Sequence, residues 1–219
     1  MHRRKIPLTV DSPRGRVRAE YDALASVYDQ RWGGYIEAST AATLRRVPLD
    51  AGERLLDVGC GTGLFLARLV GRSPFRELTG VDLSPGMVAR ARGRLPASVR
   101  LLVGDAGTLP FPAGGFDVIV SVSSFHYWPS PARGLEELRR VLRPGGHLIL
   151  TDWCDDYLAC RICDRVLRLL NPSQARIYGR AECGALLSAA GLEITSLERY
   201  RISWLWGLMT ATARAPGPE

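Results

Sequence analysis

Residues 55–63 read LLDVGCGTG, a pattern that joins a buried strand to a helix through a glycine turn. An apolar run carrying Asp57 passes into a turn with glycines at Gly59, Gly61 and Gly63. Residues 64–70 then bring apolar side chains at helical spacing, so the turn joins a strand to a helix. Glycine in such a turn lets the backbone come close to a ligand, because no Cβ stands in the way. The N–H groups that open the helix then point at whatever polar group the ligand offers. The dinucleotide fingerprint is G-x-G-x-x-G, with a pyrophosphate over the helix end. Here the spacing is G-x-G-x-G, one residue short, with Asp57 just upstream.

Outward from this turn the chain alternates. The patterns predict helices over 19–28 and 34–47, then strand 54–58 and the helix after the glycine turn. Strand 77–82, helix 85–94 and strand 99–103 follow. Strand 116–122, helix 132–142 and strand 147–152 come next. Two further helices are expected over 157–170 and 181–190, with Gly191 as a helix stop. Segments 193–201 and 203–213 read as an antiparallel pair at a sheet edge. The expected fold class is therefore α/β: a Rossmann-like doubly wound sheet with helices on both faces, mostly parallel, with an antiparallel C-terminal edge strand. Ligands in such sheets bind beyond the carboxyl ends of the strands. Asp82, Asp105 and the stretch from Ser121 to His126 all fall there.

Five motifs occur in order: YDALASVYD from Tyr21, LLDVGCGTG from Leu55, GVDLSPGMV from Gly80, GDAGTLPFP from Gly104 and VLRPGG from Val141. Over roughly residues 20–150 the chain resembles class I S-adenosylmethionine (SAM) dependent methyltransferases. Within them it is similar to the ubiquinone/menaquinone-biosynthesis and related small-molecule enzymes. The resemblance implies SAM as cofactor and S-adenosylhomocysteine as product. In that family the turn of Gly59, Cys60 and Gly61 wraps the methionine part, and Asp57 orients it through the turn. Asp82 ends a strand about twenty residues later, where a carboxylate can accept both ribose hydroxyl protons, as the acidic residue of dinucleotide sites does. Leu83 and Met87 can face the adenine. Asp105 with Ala106 resembles the adenine-edge contact. Ser121 is expected near the methionine carboxylate or amine, and Tyr21 and Tyr28 resemble aromatic residues that cap the same end. VLRPGG is read as structural: a helix ends, and Pro144, Gly145 and Gly146 turn into the next strand.

Methyl transfer from a sulfonium is an in-line displacement with a good neutral leaving group, so alignment is most of what the protein supplies. A general base helps when the acceptor is a neutral hydroxyl or an acidic C–H. The candidate is His126 in SVSSFHYW, where the family places substrate-facing residues. Trp32, Tyr35, Tyr127 and Trp128, and from the C-terminal part Trp153, Trp204 and Trp206, are candidates to line an aromatic acceptor pocket or to fill the core. The expected function is methyl transfer to a small-molecule acceptor, of an aromatic or quinone type. Two alternatives stay open: a thiol or arsenite-like soft acceptor held by Cys154, Cys160, Cys163 and Cys183, and a SAM-binding protein without catalysis. Aminopropyl transfer would want an acidic pocket for a polyamine, and no acidic cluster follows the fourth strand.

The 219 residues suffice for one full core. We expect a basic, disordered tail at 1–18 and a single methyltransferase domain at 19–219. Within the domain, 19–50 holds N-terminal helices, 51–152 the cofactor core, and 153–219 C-terminal helices and edge strands. The net charge is +7. Arg3, Arg4, Lys5, Arg14, Arg16 and Arg18 against Asp11 give the first 18 residues +5 of it. The rest is near neutral, which argues against a nucleic-acid partner. Lys5 is the only lysine beside 28 arginines, a bias expected of a GC-rich bacterial gene. No apolar run is long enough to span a bilayer, and no signal-peptide pattern is seen. Five cysteines, an odd number, suit free thiols in a reducing cytoplasm. Only one C-x-x-C pair is present, so no metal site is expected.

Overall fold

A computed structural model describes residues 12–49, 54–71, 75–170 and 176–217. Seven strands form one sheet in the order β3-β2-β1-β4-β5-β7-β6. They are β1 (Arg54–Val58), β2 (Glu77–Asp82), β3 (Arg100–Val103), β4 (Phe116–Val122), β5 (Leu142–Trp153), β6 (Glu193–Arg201) and β7 (Gly207–Arg214). The helices are α1 (Pro13–Leu24), α2 (Tyr28–Leu44), α3 (Leu64–Leu69), α4 (Pro85–Arg94), α5 (Pro131–Val141), α6 (Leu158–Leu170) and α7 (Arg180–Ala189). β1 pairs in parallel with β2 and β4, β2 with β3, and β4 with β5. β7 runs antiparallel to both β5 and β6, so the C-terminal pair closes one edge as the sequence predicts.

The apolar strands are explained by burial on two sides. Leu56, Ile119, Leu148 and Leu150 point to one face, where Leu135, Leu138 and Val141 of α5 cover them. Leu55, Val118, Val120 and Ile149 point to the other, under Phe65, Leu66 and Leu69 of α3 and Ala91 of α4. Alternation within a strand and burial on both faces produce a continuous apolar run. Strand order reverses between β1 and β4, and the carboxyl ends of both strands open on the same side. That crevice is where such sheets hold ligands.

Two expectations need correction. Residues 12–18, placed in a disordered tail, belong to α1: Ser12 caps the helix by accepting from Gly15 N at 3.0 Å, and Pro13 occupies the first turn, where its missing N–H costs nothing. Val17 is buried. Residues 1–11 lie outside the described residues. VLRPGG, expected as a turn before the strand, is taken into β5 as a bulge, with Phe116 opposite Leu142 and Val118 opposite His147. Gly145 takes a φ of 70° there and donates its N–H to the Ala215 carbonyl at 3.0 Å. Among the described residues, no helix is long and apolar enough to cross a membrane.

Candidate active site

The glycine turn is held by β2. The N–H groups of Gly59 and Cys60 both reach the Val81 carbonyl, at 2.8 and 3.1 Å. Gly59, Gly61 and Gly63 take φ values of 78°, 53° and 80°, the left-handed region that glycine enters without strain. Two of these glycines are demanded by different things. A Cβ on Gly59 would fall within 2.5 Å of Ser124 Oγ, so the strand β4 loop requires its absence. A Cβ on Gly61 would meet nothing within 4 Å. Gly61 instead leaves its space to the open cleft.

That cleft brings most of the predicted residues together. Tyr21, Tyr28, Gly59, Gly61, Asp82, Leu83, Met87, Asp105 and Ala106 all line it. A smaller adjoining cavity is lined by Asp57, Cys60 and again by Tyr28, Gly59 and Gly61. Ser121 lies in neither. It is fully buried in β4, and its hydroxyl pairs with Ser124 Oγ at 2.7 Å. The serines that reach the cleft are Ser123 and Ser124, which sequence reasoning passed over. Ser123 is the only non-glycine described residue at positive φ, 55°. It turns the chain at the strand end and points its hydroxyl at Tyr35 Oη, 2.6 Å away.

The site is strongly acidic beneath the turn. Asp82 accepts from Gly61 N at 2.8 Å through one oxygen and from Ser84 N at 2.9 Å through the other. Burial raises its pKa, and those backbone N–H groups work against the rise. Asp57 is only 2% exposed and lines the smaller cavity. Burial, and then the charge of Asp82, lift it to about 8. A buried carboxyl facing a cavity favours a cationic group there.

Helix α1 lies across the cleft. Arg14 pairs with Asp105 at 2.9 Å. Asp22 accepts from Ser84 Oγ at 2.5 Å and from Gly86 N at 2.8 Å, at the start of α4. Arg14 and Val17 line the cleft with Tyr21; a residue pair so distant in sequence gives no local signal. Tyr21 stands 5.7 Å from Tyr28 and 5.2 Å from Tyr127, ring centre to ring centre. Burial first, then the charge of neighbouring phenols, raises the hydroxyls of Tyr21 and Tyr28; burial raises Tyr127 to about 12, against its hydrogen bond with Tyr21. At neutral pH they are protonated donors.

His126 sits in a single 3-10 turn after β4. Its ring is 3% exposed and lines neither cavity, whereas Tyr127 and Trp128 do line the cleft. Its Nδ1 lies 2.6 Å from Asp152 Oδ1, and its backbone N–H donates to Asp152 Oδ2 at 3.0 Å. Asp152, from the end of β5, was not singled out in the sequence. The imidazole stacks on Trp153 with centroids 5.2 Å apart. Trp153 packs on Trp206 at 4.5 Å and donates to Tyr35 Oη at 2.6 Å. Trp32 meets Trp206 at 6.4 Å. These rings form a continuous aromatic wall from Trp32 to Tyr127. Trp204 is not part of it, being 83% exposed.

The cysteines do not converge on the cleft beyond Cys60. Cys154 and Cys183 are buried in the core under α5 and α7, and Cys160 packs with Trp153 and Leu208. Burial pushes their thiols up, Cys154 to about 11 and Cys183 to about 12. Such thiols are poor ligands for a soft centre. No cluster of metal-ligating side chains is found among the described residues.

A doubly wound sheet with a glycine turn, a carboxylate at the end of the next strand and a second at the strand after that defines a nucleoside-binding α/β enzyme. Residues 56–150 match the methyltransferase domain family. The chain is 33% identical to the 27-O-demethylrifamycin SV methyltransferase of Amycolatopsis mediterranei over 202 residues, covering 83% of this chain and 68% of that enzyme. It is 37% identical to the demethylmenaquinone methyltransferase of Deinococcus radiodurans, over 55% of this chain and 49% of that one. A chain from the complex between the Haloferax volcanii Trm112 methyltransferase activator and a methyltransferase superposes with a TM-score of 0.81 at 23% identity, covering 90% of this chain and 98% of that one, and shares the fold. The protein belongs to the SAM-dependent methyltransferases.

Proposed function

We propose that this enzyme transfers the methyl group of SAM to a small planar acceptor of aromatic or quinone type. The observation that carries the acceptor class is the aromatic wall that borders the cleft through Tyr127 and continues through His126, Trp153, Trp206 and Tyr35. Flat apolar faces recognise flat apolar acceptors by stacking and by excluding water. The cationic and hydroxylic groups of SAM match what the cleft leaves unmet. Asp57, buried at the edge of its cavity, suits the amino group, and the space beside Gly61 suits close backbone approach. Asp82 suits the ribose hydroxyls. Leu83, Met87 and Ala106 suit the adenine, with Asp105 at its edge. Tyr21 and Tyr28 suit the methionine carboxylate as neutral donors.

When bound, SAM supplies the electrophilic methyl group, and the protein's task is alignment. The acceptor oxygen or carbon must approach opposite the sulfur while water is kept out. Helix α1 and the rings of Tyr21, Tyr28 and Tyr127 do the excluding. Where the acceptor must lose a proton, the His126–Asp152 pair is the base we assign. Asp152 holds the proton on Nδ1 and so leaves the lone pair on Nε2.

The test is S-adenosylhomocysteine release with two acceptor panels run in parallel. One holds phenols, catechols and reduced quinones, and the other holds thiols and arsenite. Turnover in the first panel alone is expected, with His126→Ala lowering kcat by roughly 10²-fold or more while SAM binding persists. Turnover confined to thiols or arsenite would refute the acceptor class.

A further inference from the structure

Helix α6 carries apolar side chains on two opposite sides. Cys160 and Leu167 face inward, onto Trp153 and Leu208. On the opposite side Leu158, Ile162, Val166 and Leu169 are exposed by 68%, 52%, 47% and 85%. Their spacing of four, four and three residues places them within one narrow sector of the helix. Single exposed leucines need no explanation, but a continuous stripe over three turns does. The β6–β7 turn lies against the first turn of this helix, with the Leu205 carbonyl 3.7 Å from Cys160 Sγ. It carries Trp204, the most exposed described tryptophan.

Along one flank of the stripe run Arg161, Arg165 and Arg168, against the single acid Asp164, whose side chain is 3% exposed and paired with Arg168. Together with Arg176 they line a shallow groove beside the helix. Arg161 reaches Asp155 at 3.4 Å, an exposed pair of little strength that leaves donors for another anion. An exposed apolar stripe, a flanking arginine row and a neighbouring tryptophan are the parts of a helix that lies in the interface plane of a membrane. The aliphatic side chains enter the acyl boundary and the guanidinium groups meet headgroup phosphates.

We propose that α6 and the β6–β7 turn dock this enzyme on the surface of an anionic lipid bilayer. Charge complementarity selects this occupant, because the arginine row follows the whole length of the stripe. The surface adjoins the acceptor side of the cleft, since Trp206 of the same turn belongs to the aromatic wall. A membrane-dissolved acceptor would then have a short path to the site. The docking does not depend on the acceptor's identity.

The experiment is co-sedimentation of the full chain with vesicles of phosphatidylcholine alone and of phosphatidylcholine with phosphatidylglycerol. Binding to the anionic vesicles, weakened by high salt, is expected. The double variant Ile162→Glu/Leu169→Glu should partition at least about tenfold more weakly, and Arg165→Glu should weaken binding to anionic vesicles. SAM binding by each variant reports that the fold is intact. A chain that stays in the supernatant with both vesicle types overturns the proposal, as does undiminished binding of the double variant. A dimer in light scattering that the double variant dissolves would assign the stripe to a second copy of this chain and overturn it equally.

Discussion

Asp57 on β1 and Asp82 at the end of β2 lie beneath the glycine turn, and burial, then the charge of Asp82, gives Asp57 a pH signature. With its pKa raised to about 8 in the ligand-free protein, Asp57 is largely protonated at neutral pH. If it holds the SAM amino group as a carboxylate, binding must release that proton. SAM affinity should therefore tighten as pH rises from 6 to 8, and Asn at position 57 should flatten this dependence while weakening binding. Isothermal titration at several pH values checks both. The sign for stability is the opposite. A folded-state pKa above the unfolded value favours the fold below pH 4, and this contribution is lost as pH rises towards 8. Thermal melts of the ligand-free protein should show Asp57→Asn gaining on the wild type across that window. Asp57 and Asp82 were both legible in the sequence, because each is tied to a local turn pattern. Ser123 was not: its role depends on a positive φ at the end of β4 and on Tyr35 from α2, 88 positions away.

At the scale of elements, two devices shape the cleft. The close contact between the glycine turn and the β4 loop makes Gly59 sensitive: Gly59→Ala combines a left-handed φ of 78° with a collision against Ser124. We expect a loss of roughly 1–3 kcal/mol in urea unfolding, whereas Gly61→Ala, strained in φ but facing open space, should act mainly on SAM affinity. The second device is α1, strapped to the start of α4 by Asp22 and to the β3 loop by Arg14. Asp22→Ala removes an acceptor from Ser84 and from Gly86 N. It should cost about 1 kcal/mol and speed SAM dissociation measured by stopped flow. An unchanged dissociation rate would remove α1 from cofactor retention. This helix was misread because its start is rich in arginine and flanked by Pro13 and Gly15. Composition of that kind suits a solvated tail, and only the burial of Val17 and the Arg14–Asp105 pair show that it is anchored.

At the scale of the molecule, the cleft joins elements from both halves of the sheet, so occupancy should stabilise the whole. SAM at a hundred times its dissociation constant adds about 2.7 kcal/mol to unfolding. If Asp82 holds the ribose as proposed, Asp82→Ala should abolish most of that shift at the same SAM concentration, since hydrogen bonds to a charged group contribute about 1.5–3 kcal/mol each. A scanning-fluorimetry shift equal to the wild type's would remove Asp82 from the site.

The alternation of strands and helices, the glycine turn, the carboxylates near two strand ends and the antiparallel C-terminal pair are legible in the chain before any folding. Each is written in neighbouring residues, as a period of apolar side chains or a turn composition, and so needs no knowledge of distant contacts. Long-range packing alone shows that Asp152 on β5 grips His126 after β4, that Trp206 meets Trp153 and Tyr35, that Ser121 is buried behind Ser124, and that Cys154, Cys160 and Cys183 are buried away from the cleft. Those relations join residues far apart along the chain, and they arise from how the sheet brings its strand ends side by side. Side-chain burial follows from packing on both faces, which no local pattern encodes.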